Sequence, residues 1–516
     1  MLTIRALSGG ETYASRHLSA NDYYAEGERI RGQWMGRGAD LLELSGEVTL
    51  DQFDAVRQGL HPATGEFLRP RQNVDRFDKN GERLSSARSL YDFTVSAPKS
   101  VSVQSLVDPR LRDAHIQALA EMTTEMELLA GARIRKEGSL YENRCTSNLV
   151  IAAYHHDTSR ELDPQLHSHL VAANLTYDGT EGRWKTLQAT DIYEQRAYLS
   201  EVYRNALARS VRELGYETVD RFDQGRERGF EITGIATETL EKFSQRSEQR
   251  DYAIGTFFLK KGRMPTNKEI AVLVRESRQD KLLEISTAEV KERQWARFTP
   301  EERVRLAELH VQALRRGPVQ SLERATAADS LLYACEHLFE RVSVAHDYEL
   351  KTEALRHGRG HMQLSDLKGE IMFEQHSGAL LKVGTEVATR ESVDRERAML
   401  QIVQKGLAVS AAGRCAGVCG LRPAATGTEA CRAGDSRFAR SGGESARRGR
   451  HRQDSHAAGT PARPDRRRQA GSGGGSNARG GERTGQGGLL ARCDHRAPAA
   501  GQTGTARAHR QSVDRG

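Results

Sequence analysis

Four histidines stand close together between Tyr154 and Tyr177, in Y-H-H-D-T-S-R-E-L-D-P-Q-L-H-S-H-L-V-A-A-N-L-T-Y. His167 and His169 are two residues apart in a run, Leu166 to Leu175, that alternates as a strand does, so both project from one face of a pleat. Imidazoles paired this way suit a divalent ion and leave coordination positions open for a substrate oxygen. Upstream, Asn148 to His156 reads as a buried strand, and the Asp-, Thr-, Ser- and Pro-containing stretch Asp157 to Gln165 reads as a loop joining antiparallel neighbours. Folding there carries His155 or His156 across to the pair. The plainer alternative is an ordinary strand with solvent-facing histidines, and the spacing does not name the metal.

Two further residue types bear on chemistry. Tyr23 and Tyr24 are adjacent, shortly before Gly27. A double tyrosine is by default a packing feature. Chemically, a phenol is the nucleophile suited to cutting DNA while conserving bond energy, because its phosphotyrosine ester can be reversed by a later hydroxyl. Its ordinary pKa of about 10 calls for a base or a nearby cation. In S-L-Y-D-F-T-V-S-A-P-K-S-V-S-V, alternation from Leu90 to Ser96 sets Asp92, Thr94 and Ser96 on one face and Tyr91, Phe93 and Val95 on the other. An acid inside a strand is disfavoured, so Asp92 needs a partner or a solvated edge. Ser96 is expected to cap a helix starting near Pro98. Lys99 is expected to be solvated, with phosphate contact as the alternative.

The run H-D-T-S-R-E-L-D-P-Q-L-H-S-H, followed by A-N-L-T, closely resembles the three-histidine motif of MobF-type conjugative relaxases, HUH endonucleases that nick single-stranded DNA. The family's spacing implies His156, not His155, as the third ligand beside His167 and His169. N-D-Y-Y-A-E-G, followed by Q-W-M-G-R-G-A-D from Gln33 to Asp40, resembles the relaxase N-terminus, where the nucleophilic tyrosines lie. Many members carry two tyrosine pairs. Here Arg16 and His17 stand where the first would fall, with only Tyr13 nearby. The resemblance therefore puts the nucleophile in the Tyr23–Tyr24 pair, Tyr23 favoured, with Tyr13 as a second nucleophile or a packed side chain. Y-D-F-T-V-S-A-P-K-S-V-S resembles the motif with the acidic active-site residue. That implies for Asp92 either acceptance of the tyrosine proton or orientation of a histidine ligand.

The resemblance implies an α+β fold with an antiparallel central sheet and helices packed on it. It also implies a divalent ion (Mg²⁺ or Mn²⁺, with Zn²⁺ as the alternative) and single-stranded DNA at a transfer origin as substrate. Conjugation accessory and coupling proteins are the further partners it suggests. The activity implied is that of a strand transferase with a 5′-phosphotyrosine intermediate. Two rivals keep the same residues: a three-histidine hydrolase acting through water, and a non-catalytic DNA-binding remnant.

The chain has 516 residues, enough for two or three domains. Its six cysteines form no convincing disulfide or zinc pattern, Cys415 and Cys419 making only a C-x-x-x-C. The sequence shows neither a signal-peptide core nor a bilayer-length apolar run, so a reducing cytoplasm is expected. The net charge of +7 is unevenly distributed: residues 411–516 hold 20 Arg, no Lys and 8 acidic residues, leaving 57 basic and 62 acidic residues elsewhere. The basic balance belongs to the tail, and DNA binding by the rest needs local patches, for which Arg29, Arg31, Arg37, Arg69 and Arg71 are candidates.

Asp108 to Ile134 is expected to be one amphipathic helix with Leu111, Ile116, Leu119, Met122, Met126 and Leu129 as its stripe. Asp178-Gly179 signals a hairpin within Thr176 to Leu187, residues 188–215 read as helix, and a strand pair from Glu217 to Thr233 is expected to close the sheet. Residues 1–300 are assigned to a nicking domain, with charged helices from about 236 that the resemblance suggests are a flap over DNA; a solvated helical linker is the alternative. Residues 301–407 are a helical and α+β segment resembling the lead-in to a helicase, and residues 408–516 are expected to be a disordered Arg/Gly/Ala-rich tail.

Residues 411–516 contain no Lys, Ile, Met, Tyr or Trp and a single Phe, Phe438. These are the residues lost when GC-rich DNA is read out of frame. Back-translated with permissible codons, Arg447 to His456 gives, one base on, G-A-G-A-T-G-K-T-L, a phosphate-binding loop. The nucleotide sequence decides whether the tail is frameshifted. No ATPase is credited to this chain.

Overall fold

The computed structural model describes residues 2–7, 32–70, 75–85, 87–134, 142–159, 161–223, 225–266, 269–270, 272–273, 287–319 and 326–418. Five strands form the central sheet: β1 (Leu2–Leu7), β2 (Gln33–Met35), β3 (Leu90–Ser96), β4 (Ile151–Thr158) and β5 (Pro164–Ala173). Their order is β1-β3-β5-β4-β2, with every neighbouring pair antiparallel. The three interior strands carry the apolar, β-branched and aromatic runs that suit burial on both faces.

One face, here the far face, bears Leu2, Phe93, Val95, Ile151, Ala153 and Leu170. It packs on helix α2 (Arg110–Leu128) and helix α3 (Arg196–Glu213) through Leu119, Met122, Leu199 and Val202. The other, near face divides along its length. At one end Leu90, Ala152, Tyr154 and Val171 form a smaller core with Trp34, Leu42, Phe53 and Val56. The opposite end carries Asp92, Thr94 and the histidines. A short helix α1 (Lys99–Gln104) leads from β3 into α2.

Several expectations are corrected. Helix α2 stops at Leu128, and Gly131–Arg133 is a strand pairing with Asn143–Cys145 and Leu187–Gln188. Its buried stripe is Leu111, Ala114, His115, Ala118, Leu119, Met122 and Met126, whereas Ile116 is exposed. Ile116 lies about 140° around the helix from Leu111 and so faces away from the core. Ser96 does not cap α1: it is still paired with His167 in the sheet, and the N-cap is Pro98. Lys99 is not solvated, because its ammonium donates to the Pro164 carbonyl at 3.2 Å and burial lowers its pKa. The pair Thr218–Asp223 and Arg226–Ile232 forms its own two-stranded sheet and does not extend the central one. The hairpin Thr176–Asp178 with Arg183–Lys185 is as expected.

Among the described residues, four charged helices follow: α4 (Thr237–Lys242), α5 (Gln245–Lys261), α6 (Thr287–Ala296) and α7 (Pro300–Arg316). Phe243, Phe298 and Leu306 gather with Val103 into a third core that fastens them beside α1. Farther on, helices Ala327–Phe339, Asp347–His357 and Leu364–Ser377 and a three-stranded sheet continue the main apolar core. They are keyed to α3 by Asn205, whose side chain meets Gly360 and Met362, and by buried Arg359 on Glu201 at 2.8 Å. Residues beyond 418 lie outside the described residues, and among the described residues no helix is long and apolar enough to cross a membrane.

Candidate active site

Cross-strand register brings the histidines together. His156 on β4 is directly opposite His167 on β5, and His169 is opposite Tyr154 on β4 and Thr94 on β3. Residues opposite one another in an antiparallel ladder share a face, so His156, His167 and His169 stand on the near face. Their ring centres are 5.0 Å apart for His156–His167, 5.5 Å for His156–His169 and 5.4 Å for His167–His169. His155 points the other way, where its Nδ1 is 2.7 Å from Ser168 Oγ on the far face. Of the two neighbours, register therefore puts His156, and not His155, on the face of His167 and His169.

Hydrogen bonds orient the rings. Nδ1 of His169 is 3.0 Å from each carboxylate oxygen of Asp92, and Thr94 Oγ1 donates to Asp92 at 3.1 Å while lying 3.2 Å from the same Nδ1. Nδ1 of His167 donates to the Gln165 carbonyl at 3.0 Å. With Nδ1 engaged as donor, Nε2 of each ring presents its lone pair. Burial, and then His169, pushes the pKa of His167 down to about 4, which keeps it the neutral imidazole that an ion requires. Asp92 is neither at an edge nor solvated. It sits in an interior strand, 5% exposed, and His169 is the partner that its burial demanded.

The spacing is a fit test for an ion. A ligating imidazole puts its ring centre roughly 3.2 Å from the ion, and three such rings spread tetrahedrally have centres roughly 5.2 Å apart. The observed separations of 5.0 to 5.5 Å bracket that figure. Among the described residues, however, no three His, Cys, Asp or Glu side chains are already gathered into a set that would hold an ion as they stand. The ring centres are spaced as three ligands would be, while the set is not closed as it stands.

Tyr13, Tyr23 and Tyr24 lie outside the described residues, as do Arg29, Arg31 and Arg71. Of the other candidate arginines, Arg69 is half-buried and donates to Thr186 Oγ1 at 2.7 Å, and the backbone N–H of Arg37 donates to Glu127. Thr94 and the Gln165 carbonyl are parts of the site not singled out by sequence. Thr94 shares the alternation of Asp92 and was within reach of the same argument, whereas a backbone carbonyl leaves no signal in residue types.

The family model described as TrwC relaxase matches residues 7–300, more than half of the chain. The chain is 34% identical over 266 residues to the multifunctional conjugation protein TraI of Escherichia coli strain K12, an alignment covering 49% of this chain and 14% of TraI. It therefore spans about one seventh of that relative's length. A solved structure of the conjugative relaxase TrwC in complex with oriT DNA, metal-bound, is similar at 30% identity with a TM-score of 0.45, covering 61% of this chain and 98% of that one. TrwC with a 27-mer DNA comprising the recognition hairpin and cleavage site gives 29% identity and a TM-score of 0.44 over 62% and 100%. The matched span takes in the histidine face, the Asp92 strand and the charged helices α4, α5 and α6, and the chain belongs to the TrwC relaxase family.

Proposed function

We propose that this chain is a site- and strand-specific single-stranded DNA endonuclease and strand transferase that works at a transfer origin. The observation that carries the reading is the convergence of His156, His167 and His169 on one sheet face, with Asp92 fixed on His169 by two 3.0 Å contacts. These three histidines would hold a divalent ion, Mg²⁺ or Mn²⁺ first and Zn²⁺ as the alternative. When bound, the ion would polarise the scissile phosphate and offset its charge.

The chain's own groups divide the remaining work. Asp92 holds the His169 ring in one tautomer and one orientation, with Thr94 steadying the carboxylate. Both carboxylate oxygens are committed at hydrogen-bond distance to His169, which supports orientation of the ligand over acceptance of the tyrosine proton. Tyr23 or Tyr24 attacks phosphorus: the phenol oxygen gains the 5′ phosphate, the bond to the 3′ oxygen breaks, and the phenol proton is given up while a 3′ hydroxyl is released.

Sheet topology supports the reach of that tyrosine pair. The connection from β1 to β2 joins opposite edges of the sheet, and Gly32, just before β2, abuts Tyr154, whose partner across β4–β5 is His169. Tyr23 and Tyr24 stand nine and eight residues before Gly32, a tether of up to roughly 30 Å. His169 is two strands in from that edge, roughly 10 Å away.

The test uses the full chain, Mn²⁺ and single-stranded oligonucleotides from the DNA adjoining its gene. A denaturation-resistant protein–DNA species is expected, and Tyr23→Phe with Tyr24→Phe should abolish it. Cleavage without an adduct, indifferent to those substitutions, would instead establish the water-activating hydrolase. DNA affinity without any cleavage would establish the non-catalytic remnant.

A further inference from the structure

The turn between β4 and β5 separates His156 from His167, and it is held from both sides. Its own bonds are Ser159 N–H to the Asp163 carbonyl at 2.8 Å and Asp163 N–H to Ser159 Oγ at 3.1 Å, with Leu162 in the left-handed region at φ 61°. Leucine carries a Cβ penalty there, so the turn keeps this shape only because its surroundings impose it. On one side α1 supplies the Lys99 bond to Pro164 and a Ser102 Oγ that accepts from Leu166 N–H at 3.0 Å.

On the other side are the flap helices, and their grip centres on one carboxylate. Asp163 is 2% exposed. It accepts from the backbone N–H of Gln245 at 3.1 Å, from Gln245 Nε2 at 3.2 Å and from Arg297 Nη1 at 2.7 Å. Arg297 is itself pinned: it donates to the Lys242 carbonyl, and its guanidinium lies 4.4 Å from the centre of the Phe243 ring. Gln294, 1% exposed, donates to Thr158 Oγ1 at 3.2 Å and to the Leu162 carbonyl at 3.0 Å. Beside Gln245, Arg246 is close enough for its charge to disfavour a proton on His167. The ends of α4, α5 and α6 therefore close on the few residues that set how β4 and β5 present their histidines.

We propose that Asp163 is the positioning residue through which the docked flap helices fix the spacing of His156 against His167, so that flap docking and ion binding favour one another. This rests on the relaxase reading of the histidine face. Lifting the flap would strip Asp163 of its Arg297 and Gln245 partners and leave a buried carboxylate uncompensated, so the turn would relax and with it the ligand strands. Coupling of this kind is reciprocal: whatever factor docking contributes to ion affinity, the ion returns to docking.

The experiment uses the full chain and Mn²⁺ alone. Calorimetric titration reads ion affinity, and limited trypsin digestion reads cleavage at the exposed Lys260 and Lys261 of α5. In the parent chain Mn²⁺ should slow that cleavage. Asp163→Ala should weaken Mn²⁺ binding by roughly 3- to 10-fold, less than the loss of a ligand's direct hydrogen-bond partner, and should erase the protection. Arg297→Met, made on the flap side away from the sheet core, should do the same, and the double variant should be no worse than either single one. Asp163→Asn, which keeps an acceptor for Gln245 but loses the charge facing Arg297, should fall between. Lower thermal stability in both single variants with unchanged Mn²⁺ affinity and intact protection would overturn the proposal. If the parent chain binds Mn²⁺ and nicks DNA while the variants bind equally well, only this proposal falls. If the parent binds no Mn²⁺, the relaxase reading falls with it.

Discussion

Strands β4 and β5 carry histidines on both faces, and the two groups are built for opposite ends. On the near face, Nδ1 of His167 and of His169 is engaged by an acceptor at 3.0 Å, which leaves Nε2 of each ring as a lone pair. On the far face, His115 spends both nitrogens: Nδ1 is 2.6 Å from Tyr203 Oη and Nε2 is 2.8 Å from Ser168 Oγ. Ser168 in turn meets His155 Nδ1 at 2.7 Å, completing a chain from Tyr203 through two histidines in which Tyr203, His115 and Ser168 are buried and His155 is half-buried. A serine between two imidazoles would look like a nucleophile if it were open to substrate. Here Ser168 is fully buried, and the chain serves as a polar tie inside an apolar layer, with Nε2 of His155 left without a hydrogen-bond partner among the described residues. What separates His169 from His115 is therefore which nitrogens are already taken, not how many rings are nearby.

Substitutions should split along the same line. His169→Ala or His167→Ala on the near face should cut adduct formation on the order of 10³-fold and abolish Mn²⁺ binding while the fold stays intact, His169→Ala being the less stable of the two because it takes the imidazole partner from buried Asp92. His115→Ala on the far face should do the reverse. It opens a cavity, removes the partner of Tyr203 Oη and leaves Ser168 with His155 alone, at a cost of about 3 kcal/mol, while Mn²⁺ affinity is retained. Calorimetric Mn²⁺ titration beside urea denaturation reads both quantities. An unfolded His169→Ala, or a stable His115→Ala that no longer binds Mn²⁺, would erase the distinction. Asp92→Asn sharpens it from within the near face: the ring keeps its place but loses a charged orienter, so Mn²⁺ should bind roughly 10- to 100-fold more weakly.

How much of this was legible in sequence follows the range of the interactions. His156, His167, His169 and Asp92 could be found because alternation fixes a face and a turn fixes a pairing, both readable over short stretches. Whether His155 or His156 joined the pair could not be read from residue types, since it depends on the strand register that sets His156 opposite His167. His115 was hidden more deeply. It sits in the apolar stripe of α2, and its role exists only because α3 brings Tyr203 to one side and β5 brings Ser168 to the other. Ile116, by contrast, is a misreading of a local signal, since the helical period alone sets it about 140° from Leu111. The strand pair after Glu217 was correctly seen as strands but wrongly joined to the central sheet, because edge pairing leaves no mark in local pattern. Asp163 read as part of a turn, and nothing nearby announced Arg297 as its partner.

Acid should single out the histidines that burial keeps neutral, near-face His167 among them. Burial lowers the folded-state pKa of His115 well below its ordinary value, and that of His155 is lowered by the same cause. Below pH of about 6.5 the unfolded chain binds protons that the folded chain refuses, so this contribution is whole above that pH and is lost as the pH falls. Each proton gives a slope of at most about 1.4 kcal/mol per pH unit. His115→Gln retains a donor and an acceptor but does not titrate. Urea midpoints taken from about pH 7 to about pH 5 should show a shallower fall for this variant, with the share due to His155 still present. An unchanged slope would mean that His115 is already protonated in the fold.

The smallest expected effect is the most discriminating. Tyr203→Phe keeps the ring that stands edge-on to His115, with centroids 5.6 Å apart and planes at 87°, and removes only the hydroxyl. Burial raises the pKa of that phenol well above its ordinary value, so a neutral hydrogen bond is lost and no charge. The cost should be about 1 kcal/mol in urea denaturation, with Mn²⁺ affinity identical to that of the parent chain. A shift in Mn²⁺ affinity from so slight a change, made behind the sheet, would mean that the far-face chain transmits strain through Ser168 to His167 and His169. In that case the two groups would form one site.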